Sequence, residues 1–443
     1  MSVRKPEIDL VFMPHMEISP FAAAFVISII IVGSLRFAVE NLVGCIADEM
    51  PCAWNAVAFE DVAEINAVRR IVAGYFLRVV SLCGDQMRTV NQNQSGTCWC
   101  FSSLSFFESE LIRLGKGEQD LCEMFVVHKT MEDRAKQTVR THGDVSYSQG
   151  GSFYDVIYCM QNYGIVPQEA MPQPGTLYGD TLPNHNEVDL VAGAFVRALA
   201  KSDLRKLSPV WTQAFSGIYD AYLGKCPEKF TYKGKEYTPK SYMESLGLNM
   251  DDYISLTSYT HHPFYKPFVI EVQDNWRWAS SYNLPIDELM EVFDNAINNG
   301  FTIAWGSDVS ELGFTRDGIA VMPDMKSEDL TGSDAARWLG LSASEKRAEA
   351  TKKPAPEIKV TQEMRQQAYD NWETTDDHGM QIYGIAKDQT GKEYYMVKNS
   401  WGKAGKYNGI WYASKAFVAY KTMNIVVHKD AVPKHILKKL GLK

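Results

Sequence analysis

What this sequence lacks narrows it before any motif is read. Its 45 lysines and arginines against 54 aspartates and glutamates leave a net charge of −9, and the basic residues form no run. Without a basic patch there is no electrostatic footprint for a phosphate backbone, so no nucleic acid partner is expected. A disulfide framework is missing too. The eight cysteines, Cys45, Cys52, Cys83, Cys98, Cys100, Cys122, Cys159 and Cys226, follow no repeating spacing, and a chain of 443 residues does not need staples. Metal-ligand spacing is equally scarce. His142-Gly143-Asp144 has no second ligand pair to join, and His261-His262, on a loop before Pro263, read as surface or hydrogen-bonding side chains rather than as metal ligands or substrate contacts. No metal and no organic cofactor is expected.

A long apolar run occurs in one place. Ile18 to Leu35 holds 18 uncharged residues, just enough to cross a membrane, with Arg4 and Lys5 ahead of it. Glu7, Asp9 and Glu17 spoil the basic start, so residues 18–35 read as an export or anchoring segment with a buried helix as the alternative. Leu42-Val43-Gly44-Cys45 resembles a lipoprotein cleavage box, although Arg36 and Glu40 separate it from the apolar run. Apolar residues make up 45% and aromatic ones 12%, which suits one elaborated enzyme or two to three domains with a large core.

The rest of the chain is organised around Asn91 to Phe107, NQNQSGTCWCFSSLSFF. Gly96 and Thr97 punctuate a polar loop, and large apolar residues then recur at Leu104, Phe107, Leu111 and Leu114 before Gly115, so a helix is expected to begin almost at Cys98. The free N–H groups and partial positive charge of a first helical turn favour a thiolate. Gln92 lies six residues upstream, where a loop can bring its amide beside the sulfur as a donor to an oxyanion. Cys100 points to another face of the helix and, like Cys122 and Cys159, reads as core.

A nucleophilic thiol needs a base, and the base needs a partner that fixes its ring. His378 stands just before an alternating run (Met380, Ile382, Gly384) and Asn399 just after another (Tyr395, Val397), with turn residues Gln389 to Gly391 between them. That is a hairpin pattern, and pairing it brings the imidazole to the Asn399 amide with Trp401 as a roof against water.

The order Gln92, Gly96-Thr97-Cys98-Trp99, Asp377-His378 and Lys398-Asn399-Ser400-Trp401-Gly402 resembles the papain-like cysteine peptidases. Gln149-Gly150-Gly151, ahead of a helical stretch, resembles the glycine pair that lines that family's substrate cleft. The resemblance implies an α+β, two-lobe fold without metal or cofactor. It implies Cys98, His378, Asn399 and Gln92 as catalytic residues, and Gly150, Gly151, Trp401 and Asp377 at the substrate. His378 follows Cys98 by 280 residues (378 − 98), against roughly 130 to 150 in the ordinary papain fold. That interposed length, with Thr302 to Val309 and Ala416 to Leu437, resembles the bleomycin hydrolase and aminopeptidase C branch.

Four regions follow from this reading: an apolar segment at 1–50, a helical lobe at 51–167, a large, mainly helical insertion at 168–360, and a β-rich lobe at 361–443. Cys52 to Gln86 reads as helical. Within the insertion, helices are expected at Glu187–Lys206, Pro209–Leu223 and Ile286–Asn299. A hairpin is expected to turn at Lys233-Gly234, Asp308 reads as structural, and Ser342 to Val360 is a charged, solvated linker.

The expected activity is peptide hydrolysis, with an aminopeptidase of the bleomycin hydrolase type first. In that branch the carboxyl-terminal arm holds the substrate ammonium in the cleft, and the short stretch after Asn399 leaves a looser endopeptidase as the alternative. A catalytically silent peptide-binding protein and a thiol acyltransferase are readings from other classes. The branch implies reducing cytoplasm and homo-hexamers, and Ser95, where secreted papain relatives commonly carry a disulfide cysteine, agrees with that compartment. Residues 18–35 point the other way.

Overall fold

The structure is a computed structural model that describes residues 78–82, 90–324, 342, 345, 354 and 356–442. The expectations for residues 18–35, Cys45 and most of the charged segment 342–360 lie outside the described residues. The helical reading of Cys52 to Gln86 fails over its described part, because Arg78–Leu82 is a strand, β1. Its two adjacent β-branched valines suit a strand, and its antiparallel partner is residues 384–387, more than three hundred positions downstream.

A helical lobe follows. Helix α1 (Cys98–Arg113) starts where the apolar period predicts and gives way at Gly115, whose φ of 72° favours glycine. Next come α2 (Glu123–Arg140) and α3 (Phe153–Asn162), the latter opened by a capping box between Ser152 and Asp155. Then come α4 (Asn186–Ala200), α5 (Val210–Leu223), a hairpin of β2 (Phe230–Tyr232) and β3 (Lys235–Tyr237), and α6 (Pro239–Leu246). The hairpin turns at Lys233 and Gly234 as predicted, both with positive φ. One core joins these helices, built on Phe106, Phe107, Phe125, Val196, Phe215 and Tyr242.

The segment read as an insertion does not stand apart. Its first part, through α6, packs into the core of the helical lobe, and its second part is sheet. Strands β4 (Tyr253–Thr257), β5 (Pro267–Val269) and β6 (Ser280–Asn283) lead to α7 (Ile286–Asn298), β7 (Ile303–Ser307) and β8 (Ile319–Ala320). After α8 (Gln362–Asp370) come β9 (His378–Lys387), β10 (Glu393–Lys398), β11 (Ile410–Ser414), α9 (Lys415–Lys421), β12 (Thr422–His428) and α10 (Lys434–Leu440). These strands form one sheet in the order β5-β6-β4-β12-β7-β9-β10-β11-β8, with β1 also on β9.

Strand β9 is the axis of that sheet. Its residues 378–382 pair with β7, its residues 384–387 pair with β1, and β10 takes the other edge. The hairpin read from sequence is β9–β10, reversing at Asp388 to Lys392 with Gly391 at φ 85°. Helix α1 packs across β9, where Ser105 Oγ donates to Gln381 Oε1 and Gln381 Nε2 donates to Ser109 Oγ, each at 2.7 Å. These two bonds fasten the helical lobe to the strand that begins with His378. Residues 434–442 pack into the β-lobe core through Ile436, Leu440 and Leu442, with Lys439 paired to Glu288 on α7. Among the described residues, no helix is long and apolar enough to cross a membrane.

Candidate active site

Cys98 is the first residue of α1, so its own N–H and that of Trp99 lie in the turn whose donors have no partner within the helix. The loop before it is fixed from outside: the Gly96 N–H donates to Gln149 Oε1 at 2.8 Å, and Trp99 Nε1 donates to the Gln149 carbonyl at 2.9 Å. Ser95, buried, donates to the Gln92 carbonyl at 2.8 Å and shares a hydrogen bond with Thr97. Cys98, Cys100, Cys122, Cys159 and Cys226 are all free thiols, and Cys100, Cys122 and Cys159 are core residues as expected.

His378 arrives beside this turn because β9 starts there. A Cβ on the next residue, Gly379, would overlap Ser102 Oγ and press on Phe153 and Trp99, so glycine permits the strand to approach the helix start this closely. The Gly379 N–H points at the Cys98 sulfur. Asn399, just past β10, meets the ring: His378 Nε2 lies 2.8 Å from Asn399 Oδ1. That oxygen also accepts the Ser400 N–H at 2.7 Å, which fixes the amide with its oxygen toward the imidazole. His378 Nε2 is then the donor, and the neutral ring keeps its lone pair on Nδ1. The Trp401 ring centroid lies 4.9 Å from that of the imidazole.

The electrostatics depart from the sequence reading, which gave the helix start the deciding influence on the thiol. Burial pushes the Cys98 thiol up to about 12, the Asp376 and Asp274 carboxylates add to this, and the Gly379 and Trp99 N–H groups pull against it. Burial likewise pushes His378 down to about 4, against the Asn399 hydrogen bond. Neither group charges alone at neutral pH.

Gln92 is buried and doubly tied to the far motif: its N–H donates to the Ser400 carbonyl at 2.8 Å, and Ser400 Oγ donates to Gln92 Oε1 at 2.5 Å. Its Nε2 donates to the Ser95 carbonyl at 2.7 Å, which uses one of its two hydrogens. Gly151 lies against the Trp99 ring and Gly150 against the Asp274 carboxylate, and a Cβ on either would overlap that neighbour. Asp377 goes elsewhere. Its two carboxylate oxygens accept the Val309 N–H at 2.9 Å and the Ser310 hydroxyl at 2.5 Å, so it holds the loop after β7. Asp308 is structural as read, accepting the Ser310 and Thr375 N–H groups.

Two carboxylates escaped the sequence reading. Asp376 lines a cavity of about 490 Å³ with Ser152, Tyr253, Met423 and Asn424. Asp274 lies against Gly150, and Arg134 on α2 reaches it at 3.5 Å while donating to the Gly150 carbonyl at 2.5 Å and the Ser146 carbonyl at 2.9 Å. Burial pushes the Asp376 carboxyl up to about 7, with Asp274 and Asp377 as further causes. The only signal in the sequence was adjacency to Asp377-His378 for one of them, and there was none for the other.

The model of the peptidase C1-like family matches residues 48–339 and 357–442. The chain belongs to the peptidase C1-like family. It is a cysteine-type peptidase, and peptides are its substrates. Among the relatives of this C1-like peptidase, aminopeptidase G of Lactobacillus delbrueckii subsp. lactis is 24% identical over 425 residues, covering 86% of this chain and 89% of the relative. Aminopeptidase C of Streptococcus thermophilus is 24% identical over 400 residues, covering 80% and 83%. Among solved structures, PepW of Lactobacillus rhamnosis HN001 superposes with a TM-score of 0.62 at 19% identity, covering 96% of this chain and 95% of that one. The peptidase shares that α+β fold.

Proposed function

We propose that this peptidase is an aminopeptidase that removes residues from free amino termini, with Cys98, His378, Asn399 and Gln92 as its catalytic residues. The observation that carries the exopeptidase reading is a pair of acids near the thiol: the Asp376 and Asp274 carboxylates both push Cys98 up, and Asp274 lies against Gly150 of the glycine pair. A peptide whose first carbonyl lies at the sulfur puts its α-ammonium about one residue away, and two acids there hold it. The relatives named aminopeptidase C and G support the same reading.

In the proposed mechanism the Cys98 proton passes to His378 Nδ1 as sulfur bonds the carbonyl carbon. The carbonyl oxygen takes the electron pair and is held by Gln92 Nε2–H and the Cys98 N–H. Collapse breaks the C–N bond, and His378 returns its proton to the leaving amine. Water then attacks the thioester, giving a proton to Nδ1, and the second collapse frees the acid and restores the thiol. Asn399 keeps the imidazole in the tautomer that makes Nδ1 the base.

The endopeptidase reading draws on one observation: residues 434–442 pack into the β lobe, so this stretch does not occupy the cleft. One peptide with a free and with an acetylated amino terminus, followed by mass spectrometry, separates the two. Stepwise loss from the free form alone is expected, and internal cuts in both forms overturn the aminopeptidase reading.

A further inference from the structure

Outside the cleft, two imidazoles and a carboxylate converge on one point. His261 and His262 sit on the loop between β4 and β5, and Glu271 follows β5. His261 Nε2 lies 3.1 Å from Glu271 Oε2, and His262 Nε2 lies 3.2 Å from Glu271 Oε1. All three ligand atoms fall within 4.8 Å of one another. Two ligand atoms each about 2.1 Å from a tetrahedral zinc ion are about 3.4 Å apart. The observed spacing is already close to what such an ion imposes.

The rings are held for this purpose by packing on both sides. His262 stacks on Phe268 with centroids 4.3 Å apart, and His261 stacks on Tyr369 at 5.5 Å and 17°. Outer partners fix the remaining atoms. Gln366 on α8 has its amide oriented by two bonds: Oε1 accepts the Thr260 N–H at 2.6 Å, and Nε2 donates to Asp370 at 2.9 Å. His261 Nδ1 lies 3.0 Å from that Nε2 and 3.3 Å from Oε1, so Gln366 anchors one edge of the ring while the other nitrogen, Nε2, faces Glu271. Tyr369 donates its hydroxyl toward Glu271 Oε2 at 3.3 Å. The three side chains are partly exposed, so an ion would have an entry path.

We infer that His261, His262 and Glu271 form a zinc site in which a water molecule is the fourth ligand. Imidazole nitrogen with one carboxylate selects a first-row transition ion of the zinc type over magnesium or calcium, which prefer all-oxygen sites. The site joins the β4–β5 loop to α8 through Gln366 and Tyr369. Helix α8 leads in turn to Asp376 and His378, so occupancy stiffens the approach to the cleft without touching the chemistry. The inference stands whether or not the aminopeptidase reading does.

The test uses the full chain in a Cys98→Ala background, which removes a partly accessible thiol. Titration with zinc chloride by calorimetry, with magnesium chloride as the comparison, is expected to show one zinc equivalent and no magnesium. Adding His262→Ala or Glu271→Gln is expected to abolish that equivalent, and zinc is expected to raise the thermal midpoint of the parent but of neither variant. Cobalt(II) on the parent is expected to give the visible absorption of a four-coordinate ion with nitrogen and oxygen ligands, a readout independent of how well the variants fold. An equivalent that persists in either variant, the absence of zinc binding, or a purely octahedral cobalt spectrum overturns the site.

Discussion

At the scale of single residues, the active-site reading depends on which atom of each side chain is already committed. Gln92 spends its carbonyl on Ser400 and one amide hydrogen on Ser95, so the remaining hydrogen is the one the proposed mechanism assigns to the oxyanion. Gln92→Ala is expected to lower kcat by roughly 10²–10³-fold with KM little changed, measured on a free-amine fluorogenic peptide. Asp376 supplies a pH signature. Its carboxyl is raised to about 7, so it is protonated and uncharged below that value. A substrate α-amine stays charged up to about 8. Attraction between the two therefore needs pH between these limits, and kcat/KM for a free-amine peptide is expected to fall as pH drops through about 7. In Asp376→Asn the value is expected to be low and to lose that acid limb. Gln92, Cys98, His378 and Asn399 were legible because each stands in a local motif. Asp274, Asp376 and Glu271 were not, since an isolated acid acquires meaning only from a neighbour the chain brings in from far away.

At the scale of elements, the decisive contact is helix against strand. Gly379 lets β9 reach the first turn of α1, and any side chain there meets Ser102, Phe153 and Trp99. Gly379→Ala is expected to push His378 away from the sulfur and lower kcat by about 10²-fold, the order that a displacement near 1 Å costs. Circular dichroism is expected to show the fold intact. The β9–β10 hairpin was readable because alternation and turn residues are local signals, as was the start of α1. The same logic missed β1 and could not say which edges β4 and β7 join: β1, β4 and β7 pair with residues 71 to 309 positions away. Periodicity records which face of a segment is apolar, but not which distant edge receives it.

At the scale of the whole molecule, buried acids set how stability varies with pH. Glu108 on α1 is fully inside the helical lobe and accepts the Leu121 N–H at 2.9 Å. Burial raises its carboxyl from the usual 4.5 to about 8, with Glu123 as the next cause. A folded value above the unfolded one means that folding favours the protonated form. The stabilisation is complete below about 4.5 and is lost as pH rises through about 8. The urea midpoint is therefore expected to decline between pH 5 and 8, and Glu108→Gln, which keeps the acceptor oxygen, is expected to flatten that decline. Arg134 shows the same interdependence in its own place. One guanidinium grips the Ser146 and Gly150 carbonyls and the Asp274 carboxylate, so the contour of the proposed substrate groove and its negative charge share a single fastening. A lineage that altered this arginine would lose shape and polarity in one step, which leaves substrate preference free to drift only through residues that Arg134 does not hold.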